Sequence, residues 1–133
     1  MPNTDLHLLH ILGVIHKQGA EESDLLMEDD EHRQLAIPVG ICEATAVERG
    51  LNRTNSERPL THDLLATLAE RLGSPVVRVE IDDFSQGIFY ARIILQDGDT
   101  FINVDCRPSD GIAIALRIDV PIFATDTVMT SME

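Results

Sequence analysis

The sequence predicts an α+β fold, a single compact domain in which an antiparallel strand meander is packed by about three helices. Two patterns predict it. Alternating apolar and polar residues mark three consecutive strands in the second half of the chain, and segments with apolar residues at helical spacing stand before and after these strands. The 133 residues, 44% of them hydrophobic, suffice for one modest core. We therefore expect one domain over residues 1–133.

The first half is predicted to hold two strands and a helix. Residues 6–16 and 35–39 have the composition of strands, and the acidic run EESDLLMEDDE at residues 21–31 is interpreted as a loop between them. Gly40 opens a helix that Gly50 ends. The apolar residues of this helix recur at helical spacing: Ile41, Ala44 and Val47.

The second half begins with a helix and continues into the meander. Thr61 is placed to cap the helix, and the Gly-Ser-Pro sequence at residues 73–75 stops it. Beyond the meander, an almost wholly apolar segment from Ser109 predicts a covered helix, and residues 121–124 predict a short last strand. The apolar residues of the first of these helices fall on one face: Leu64, Leu65, Leu68 and Leu72.

A hairpin signal predicts the register of the last two meander strands. Asp97-Gly98 is a strong two-residue turn, which pairs Gln96 with Asp99. One face of the strand pair is then mostly apolar, as burial requires. The opposite face is polar and ends where the sequence RPSD begins: Tyr90 lies beside Asp105 and Arg92 beside Asn103.

The chain is strongly acidic, with 23 acids against 10 bases and a formal net charge of −13. The bases are nine arginines and one lysine, Lys17. Two explanations compete: a partner that is not a polyanion, or a halophilic source whose salty interior favours an acidic, lysine-poor surface. Cys42 and Cys106 have no CxxC spacing, which disfavours a disulfide framework and a thiolate metal site.

The chain shows no sign of a membrane segment. No stretch reaches the roughly 20 uninterrupted apolar residues of a membrane span, and Asp5 stands where a signal peptide carries positive charge. We therefore expect a cytoplasmic protein without a membrane partner. A homo-oligomer is also expected, with the apolar strand at residues 6–15 as its contact, because an uncovered strand edge favours pairing of identical chains.

Two similar phrases stand in this chain, RPLTHD at residues 58–63 and RPSD at residues 107–110. Each has the features of a helix start, with a proline, a hydroxyl that can cap a backbone N–H, and an acid at the positive end of the helix dipole. Capping leaves Arg58, Arg107 and His62 unexplained. Because guanidinium groups grip phosphate and a histidine carries a proton near neutrality, these three suit a phosphodiester site. Internal ion pairs with the neighbouring acids are the alternative.

These phrases, in this order and with the meander between them, resemble the bifunctional nuclease family, whose domain is named for cleavage of both DNA and RNA. The resemblance is strongest over residues 35–128 and includes FYARIIL and DCRPSDGIAIALRIDVPIF. The segment PVGICEA is similar to another motif of the family. Two residues depart from the pattern, Pro38, where an aromatic residue is common, and Gly111, where alanine is common. The polar positions shared with the family's motifs are Glu43, Arg58, Thr61, His62, Asp63, Arg107, Ser109 and Asp110.

The resemblance implies a nuclease, and two functions stay open. In a divalent-metal-assisted phosphodiesterase, carboxylates would hold Mg²⁺ or Mn²⁺ while His62 passes a proton on a DNA or RNA substrate. In the alternative, the same pocket is a non-catalytic regulatory or scaffold site that binds a protein or a small anion. The candidate catalytic residues are His62, Arg58, Arg107 and Asp110, the candidate substrate-binding residues are Arg58, Arg107, Tyr90 and Arg92, and the candidate metal ligands are Glu43, Asp63, Asp105 and Asp110.

The charge generates a prediction about salt. If the acidic surface is halophilic, the free energy of unfolding rises from low to molar salt, because screening relieves repulsion among the acids. Replacing several acids of residues 21–31 by Gln or Ser then flattens this dependence. Thermal unfolding of both proteins across a salt series checks the prediction. Midpoints that do not change with salt would contradict the halophilic interpretation.

Overall fold

The computed structural model describes residues 5–19, 21–54 and 57–131. Within these residues, the strands are β1 (Leu6–His16), β2 (Glu22–Asp29), β3 (Gln34–Gly40), β4 (Val76–Ser85), β5 (Ile88–Asp97), β6 (Thr100–Cys106) and β7 (Ile122–Thr125). The helices are α1 (Ile41–Leu51), α2 (Thr61–Arg71), α3 (Pro108–Ile118) and α4 (Asp126–Ser131). None of these helices is long and apolar enough to cross a membrane.

The strands form one sheet in the order β3-β2-β1-β7-β4-β5-β6. It consists of two antiparallel meanders, β1–β3 and β4–β6, joined by β7, which is antiparallel to β1 and parallel to β4. The third strand of each meander leads into a helix, β3 into α1 and β6 into α3, and these two helices pack against each other. The α+β class is confirmed, and the described residues hold one helix more than the three expected.

The prediction of an acidic loop at residues 21–31 is wrong, because most of this segment is strand β2. Buried and more exposed positions alternate along the strand, so it still has one face to bury. Two of its acids have cationic partners: Asp24 pairs with Lys17 (3.1 Å), and the buried Asp29 accepts from Arg33 Nε (2.9 Å). The buried face consists of every second residue: Ser23, Leu25, Met27 and Asp29.

Strands β5 and β6 pair in a register two residues away from the predicted one. Asp97 pairs with Thr100, so Gly98 and Asp99 form the turn. Gly98 has φ 61°, a conformation that suits the first position of a two-residue hairpin turn. A shift of two residues leaves every side chain on its predicted face. The polar face is therefore as expected, with Tyr90, Arg92 and Asp105 on one side of the sheet.

Two glycines allow α3 to pack closely. A Cβ atom on Gly50 would lie 2.9 Å from Cβ of Leu116, and one on Gly111 would lie 2.7 Å from Cγ1 of Val79. Gly50 thus lies inside α1, where α1 crosses α3, and does not end the helix as predicted. Alanine is common at position 111 in the family that the sequence resembles. Here its Cβ atom would force α3 and β4 apart, because a Cβ atom and a methyl carbon do not approach this closely.

Helix α2 packs on α3 through a narrow face. Ala66 is the buried residue of this helix. The four leucines whose helical spacing predicted α2 are therefore not part of the core, because their side chains are exposed. They are 45–80% exposed: Leu64, Leu65, Leu68 and Leu72.

Strand β1 lies inside the sheet, between β2 and β7. Strand β2 pairs with residues 9–16 of β1 and β7 with residues 6–9, so β1 is not the outer strand that was expected, and self-association through it stays a prediction. The outer strands of the sheet are β3 and β6.

A buried carboxylate organises the centre of the second meander. Glu80 is 2% exposed and accepts hydrogen bonds from Arg78 Nε (2.6 Å) and from Arg92 Nε and Nη2 (3.1 and 2.8 Å). Burial acts to raise the pKa of Glu80, but the two guanidinium groups outweigh it, and the pKa is lowered. Arg92, predicted to bind substrate, is therefore held by Glu80.

We predict that Glu80→Gln lowers the free energy of unfolding by about 1–3 kcal/mol at neutral pH, because two guanidinium groups lose their charged acceptor. Since the pKa of Glu80 is lower in the folded state, its stabilisation is present above about pH 4.5 and is lost as the pH falls further. Urea denaturation at neutral and acidic pH measures both effects, and the difference between wild type and variant should shrink in acid. Glu70→Gln, at an exposed position of α2, is the control. Equal losses in the two variants would contradict the prediction.

Candidate functional site

Three helices carry an acid at the same position. The third residues of α1, α2 and α3 are Glu43, Asp63 and Asp110. A carboxylate in the first turn interacts favourably with the positive end of the helix dipole. Because α1 and α3 each follow the third strand of a meander, the fold brings Glu43 and Asp110 to one end of the molecule.

The hydroxyl caps predicted at Thr61 and Ser109 are wrong, because both residues lie inside their helices. In α2 the capping bond comes from the acid: the backbone N–H of Leu60 donates to the Asp63 carboxylate (2.9 Å). In α3 the first helical position is Pro108, where a missing N–H costs nothing.

Arg107, the residue before α3, joins the starts of α1 and α3. Its Nε and Nη2 donate to the two carboxylate oxygens of Asp110 (2.8 and 2.9 Å), and its Nη1 donates to Glu43 (3.1 Å). The paired guanidinium lowers the pKa of Asp110, and the same contacts raise the pKa of Arg107. Both groups are therefore charged at neutral pH.

His62 is the second residue of α2 and completes the group. Its Nε2 lies 3.6 Å from Oδ1 of Asp110, and both side chains are partly buried. We call Glu43, His62, Arg107 and Asp110 the Arg107 cluster. The N-termini of α1, α2 and α3 thus bring Glu43, His62 and Asp110 together in the group that contains Arg107.

Two cavities meet at Arg107. The smaller, about 200 Å³, is lined by the whole cluster together with Cys42, Ala46 and Ser109. The larger, about 350 Å³, lies on the other side of Arg107, between the end of β3 and the tip of the β4–β5 hairpin. A ligand can therefore reach the guanidinium from two directions.

The remaining candidate residues lie outside this cluster. Asp63 accepts from Arg117 Nε and Nη2 (2.7 and 2.8 Å), and this pair is separate from the Arg107 cluster. Arg58 is exposed and lines neither cavity. The polar residues of the meander project from the sheet face opposite the side chains that contact α2: Tyr90, Arg92 and Asp105.

Comparison with known proteins identifies the family. A family model described as the bifunctional nuclease domain matches residues 25–133. The chain belongs to this family. A protein of Mycobacterium tuberculosis described as uncharacterized is 38% identical over 122 residues, which cover 91% of this chain and 73% of that protein.

Two plant proteins also match this chain. Bifunctional nuclease 1 of Oryza sativa subsp. japonica is 25% identical over 111 residues, which cover 80% of this chain and 34% of the rice protein. Bifunctional nuclease 2 of Arabidopsis thaliana is 26% identical over 108 residues, which cover 77% of this chain and 33% of that protein. The chain thus spans about a third of its plant relatives.

The carboxylates of this bifunctional nuclease domain do not form a metal site as arranged. Of the four predicted ligands, Glu43 and Asp110 come together, but Arg107 lies between them and donates hydrogen bonds to both. Asp63 and Asp105 lie elsewhere. Within the described residues, no group of three or more acids, histidines or cysteines could hold a metal ion. The predicted set for Mg²⁺ or Mn²⁺ therefore does not fit the geometry.

Cys106 lies beside the cluster without the properties of a nucleophile. Burial, reinforced by the charges of Asp110 and Asp105, raises the pKa of its thiol to about 11. The thiol is therefore protonated at neutral pH, whereas cysteine catalysis requires the thiolate.

Sequence reasoning missed Arg117, which holds Asp63 and also donates from Nη1 to the backbone carbonyl of Thr54 (3.0 Å). The sequence carried one signal, since Arg117 is the only charged residue between Gly111 and Ile118 of an otherwise apolar helix. Such a residue needs a partner when the helix is buried. The partner itself was not predictable, because it lies 54 residues away.

We predict that Asp110→Asn lowers the free energy of unfolding by about 1 kcal/mol at neutral pH, a value that allows for the exposure of Arg107. The pKa of Asp110 is lowered in the folded domain, so its stabilisation is present above about pH 3.8 and is lost as the pH falls below that value. Denaturant titrations at neutral and acidic pH measure the difference, which should shrink in acid.

The control for this prediction is Asp119→Asn. Asp119 also makes a two-bond pair with an arginine, Arg53, but both side chains are well exposed. Its loss should therefore be smaller than that of Asp110→Asn. An Asp110 variant as stable as wild type at neutral pH would contradict the prediction.

Proposed function

We propose that this domain cleaves phosphodiester bonds of nucleic acid at the Arg107 cluster. Membership of the bifunctional nuclease domain family and the names of the plant relatives support the proposal. The geometry adds a cationic group and a proton carrier in adjoining cavities. The proposal combines these two kinds of observation, because a fold alone does not determine chemistry.

The observation that carries the proposal is the state of Arg107. Three of its five N–H groups are engaged by Asp110 and Glu43, which fix the plane of the guanidinium. Two N–H groups are left, and 63% of the side chain is exposed. A phosphate oxygen can accept from these two groups without displacing either carboxylate.

His62 supplies the proton transfer. Asp110 lies near Nε2 of His62 and stabilises the protonated imidazole that forms when the ring takes a proton. In RNA the 2′-hydroxyl loses its proton to His62 as its oxygen bonds to phosphorus, and the bond from phosphorus to the 5′-oxygen breaks. That leaving oxygen takes up a proton from the solvent, and His62 later releases its own proton to the solvent. In DNA a water molecule is the nucleophile instead: it gives its proton to His62 as its oxygen bonds to phosphorus, and a phosphorus–oxygen bond of the backbone breaks.

The charge of the chain restricts how substrate is held. A protein with a net charge of −13 gains little from diffuse attraction to a polyanion. Binding therefore rests on short-range contacts such as those of Arg107, which salt screens less than diffuse attraction. We accordingly propose a short contact region that recognises one or a few nucleotides.

A second candidate function is a non-catalytic regulatory or scaffold domain that binds a protein or a small anion in the same pocket. One observation favours it: the Arg107 charge is already offset by two carboxylates. Such ion pairs can hold the starts of α1 and α3 together without any part in a reaction. The two functions differ in whether the protein turns over substrate.

We predict that the purified domain cleaves short labelled RNA or DNA, and that His62→Ala and Arg107→Ala each lower the rate by about 100-fold or more, the scale of a lost proton carrier or oxyanion contact. His32→Ala and Arg53→Ala, at exposed positions, serve as matched controls. Reactions with chelator, Mg²⁺ and Mn²⁺ test the metal dependence separately. Equal rates in all variants indicate a contaminating nuclease and contradict the proposal, as does a wild type without cleavage under every condition.

A further inference from the structure

Strand β6 is an outer strand without the usual protection of a sheet edge. It pairs with β5 along its whole length in a regular register, and its other side has no partner strand in the described structure. The opposite edge of the sheet differs, because β3 carries Pro38, which lacks an N–H to donate. The seven residues of β6 include neither proline nor lysine, the common means of blocking an edge.

The face beside this edge is apolar. Ile102 and Val104 of β6 are 41% and 43% exposed. They adjoin a groove of about 460 Å³ between α2, α3 and the second meander, which His62 and Asp110 of the Arg107 cluster also line. The exposed leucine stripe of α2 continues this surface on the same side of the sheet. We name Ile102, Val104 and the α2 leucines the β6–α2 surface: it is an apolar area on a domain that is otherwise highly charged.

We propose that the β6–α2 surface pairs with the same surface of a second copy of this chain, through antiparallel β6–β6 pairing about a twofold axis at Asn103. The axis at Asn103 lets the whole seven-residue strand pair with its copy. Ile102 then lies opposite the partner's Val104, so the apolar face of the strand continues across the seam. The two α2 helices lie on that same face, and their leucine stripes approach each other.

Charge supports a second copy as the occupant. On the other face of β6, the Arg78 guanidinium lies 5.3 Å from the centre of the Phe101 ring. The proposed pairing places the partner's Asp105 opposite Phe101, on the same sheet face as the Arg78 guanidinium that reaches over this ring. The twofold axis repeats this arrangement of opposite charges, which offsets part of the repulsion between two chains of net charge −13.

The pairing also reaches the Arg107 cluster. Arg107 directly follows β6, and the proposed register places the partner's Asp99 opposite it. The turn of one copy therefore borders the cavities of the other. The dimer follows from the edge and the apolar surface alone, and it does not depend on the proposed nuclease activity.

Sedimentation velocity at micromolar concentration and about 1 M salt, where charge repulsion is screened, tests the proposal. We expect a dimer for the wild type and a monomer for Val104→Lys. Leu12→Lys, which charges an exposed apolar position on β1, should remain a dimer. A monomeric wild type, or a dimer that tolerates Val104→Lys, would overturn the proposal.

Cysteine trapping identifies the edge even if Val104→Lys does not fold. In a Cys42→Ser background, Asn103→Cys places two thiols opposite each other at a Cα separation of roughly 4.5–5.5 Å, within disulfide range. We expect mild oxidation to give a covalent dimer. Ala36→Cys, exposed at the middle of β3 on the opposite edge, is the matched control and should stay uncrosslinked. Crosslinking of Ala36→Cys instead of Asn103→Cys, or of neither, would refute the β6 pairing.

Discussion

The Arg107 guanidinium is the point on which the arrangement of the site depends. Each meander ends in a helix whose third residue is an acid, Glu43 in α1 and Asp110 in α3. Two carboxylates near each other repel, and a cation between them relieves this repulsion. Arg107 supplies that cation in a planar fork that fixes both acids. The contact therefore joins the two halves of the sheet at the place where the cavities meet.

Arginine is used throughout the domain to satisfy acids rather than to form a basic surface. Asp63, for example, is held by Arg117, and the buried Glu80 is held from two sides. This pairing explains how a chain with 23 acids and 10 bases folds, and why no basic patch is expected from its arginines. Recognition of a polyanion must then be local. Within the described residues, at least six of the nine arginines pair with acids in this way: Arg33, Arg53, Arg78, Arg92, Arg107 and Arg117.

Local patterns predicted most of the fold, and the errors come from an acidic composition that suggests a loop and from long-range pairing. Alternation located the second meander, and the strand at residues 6–16 was predicted with its correct bounds. Strand β2 was missed because seven acids in residues 21–31 suggest a loop, although buried and exposed residues alternate there too. The two similar helix-start sequences led to the prediction that His62, Arg107 and Asp110 belong to one site. The sequence could not separate Asp63 from them, because the partner Arg117 is set by the packing of α2 on α3.

A double-mutant cycle tests the central claim most directly. The free energy of unfolding is measured for wild type, Glu43→Ala, Arg107→Ala and the double variant. If Arg107 joins the starts of α1 and α3 through Glu43, the two losses are not additive, and the coupling free energy is at least about 0.5 kcal/mol. Losses that add to within about 0.3 kcal/mol would show that the contact is not made in solution and would contradict the account.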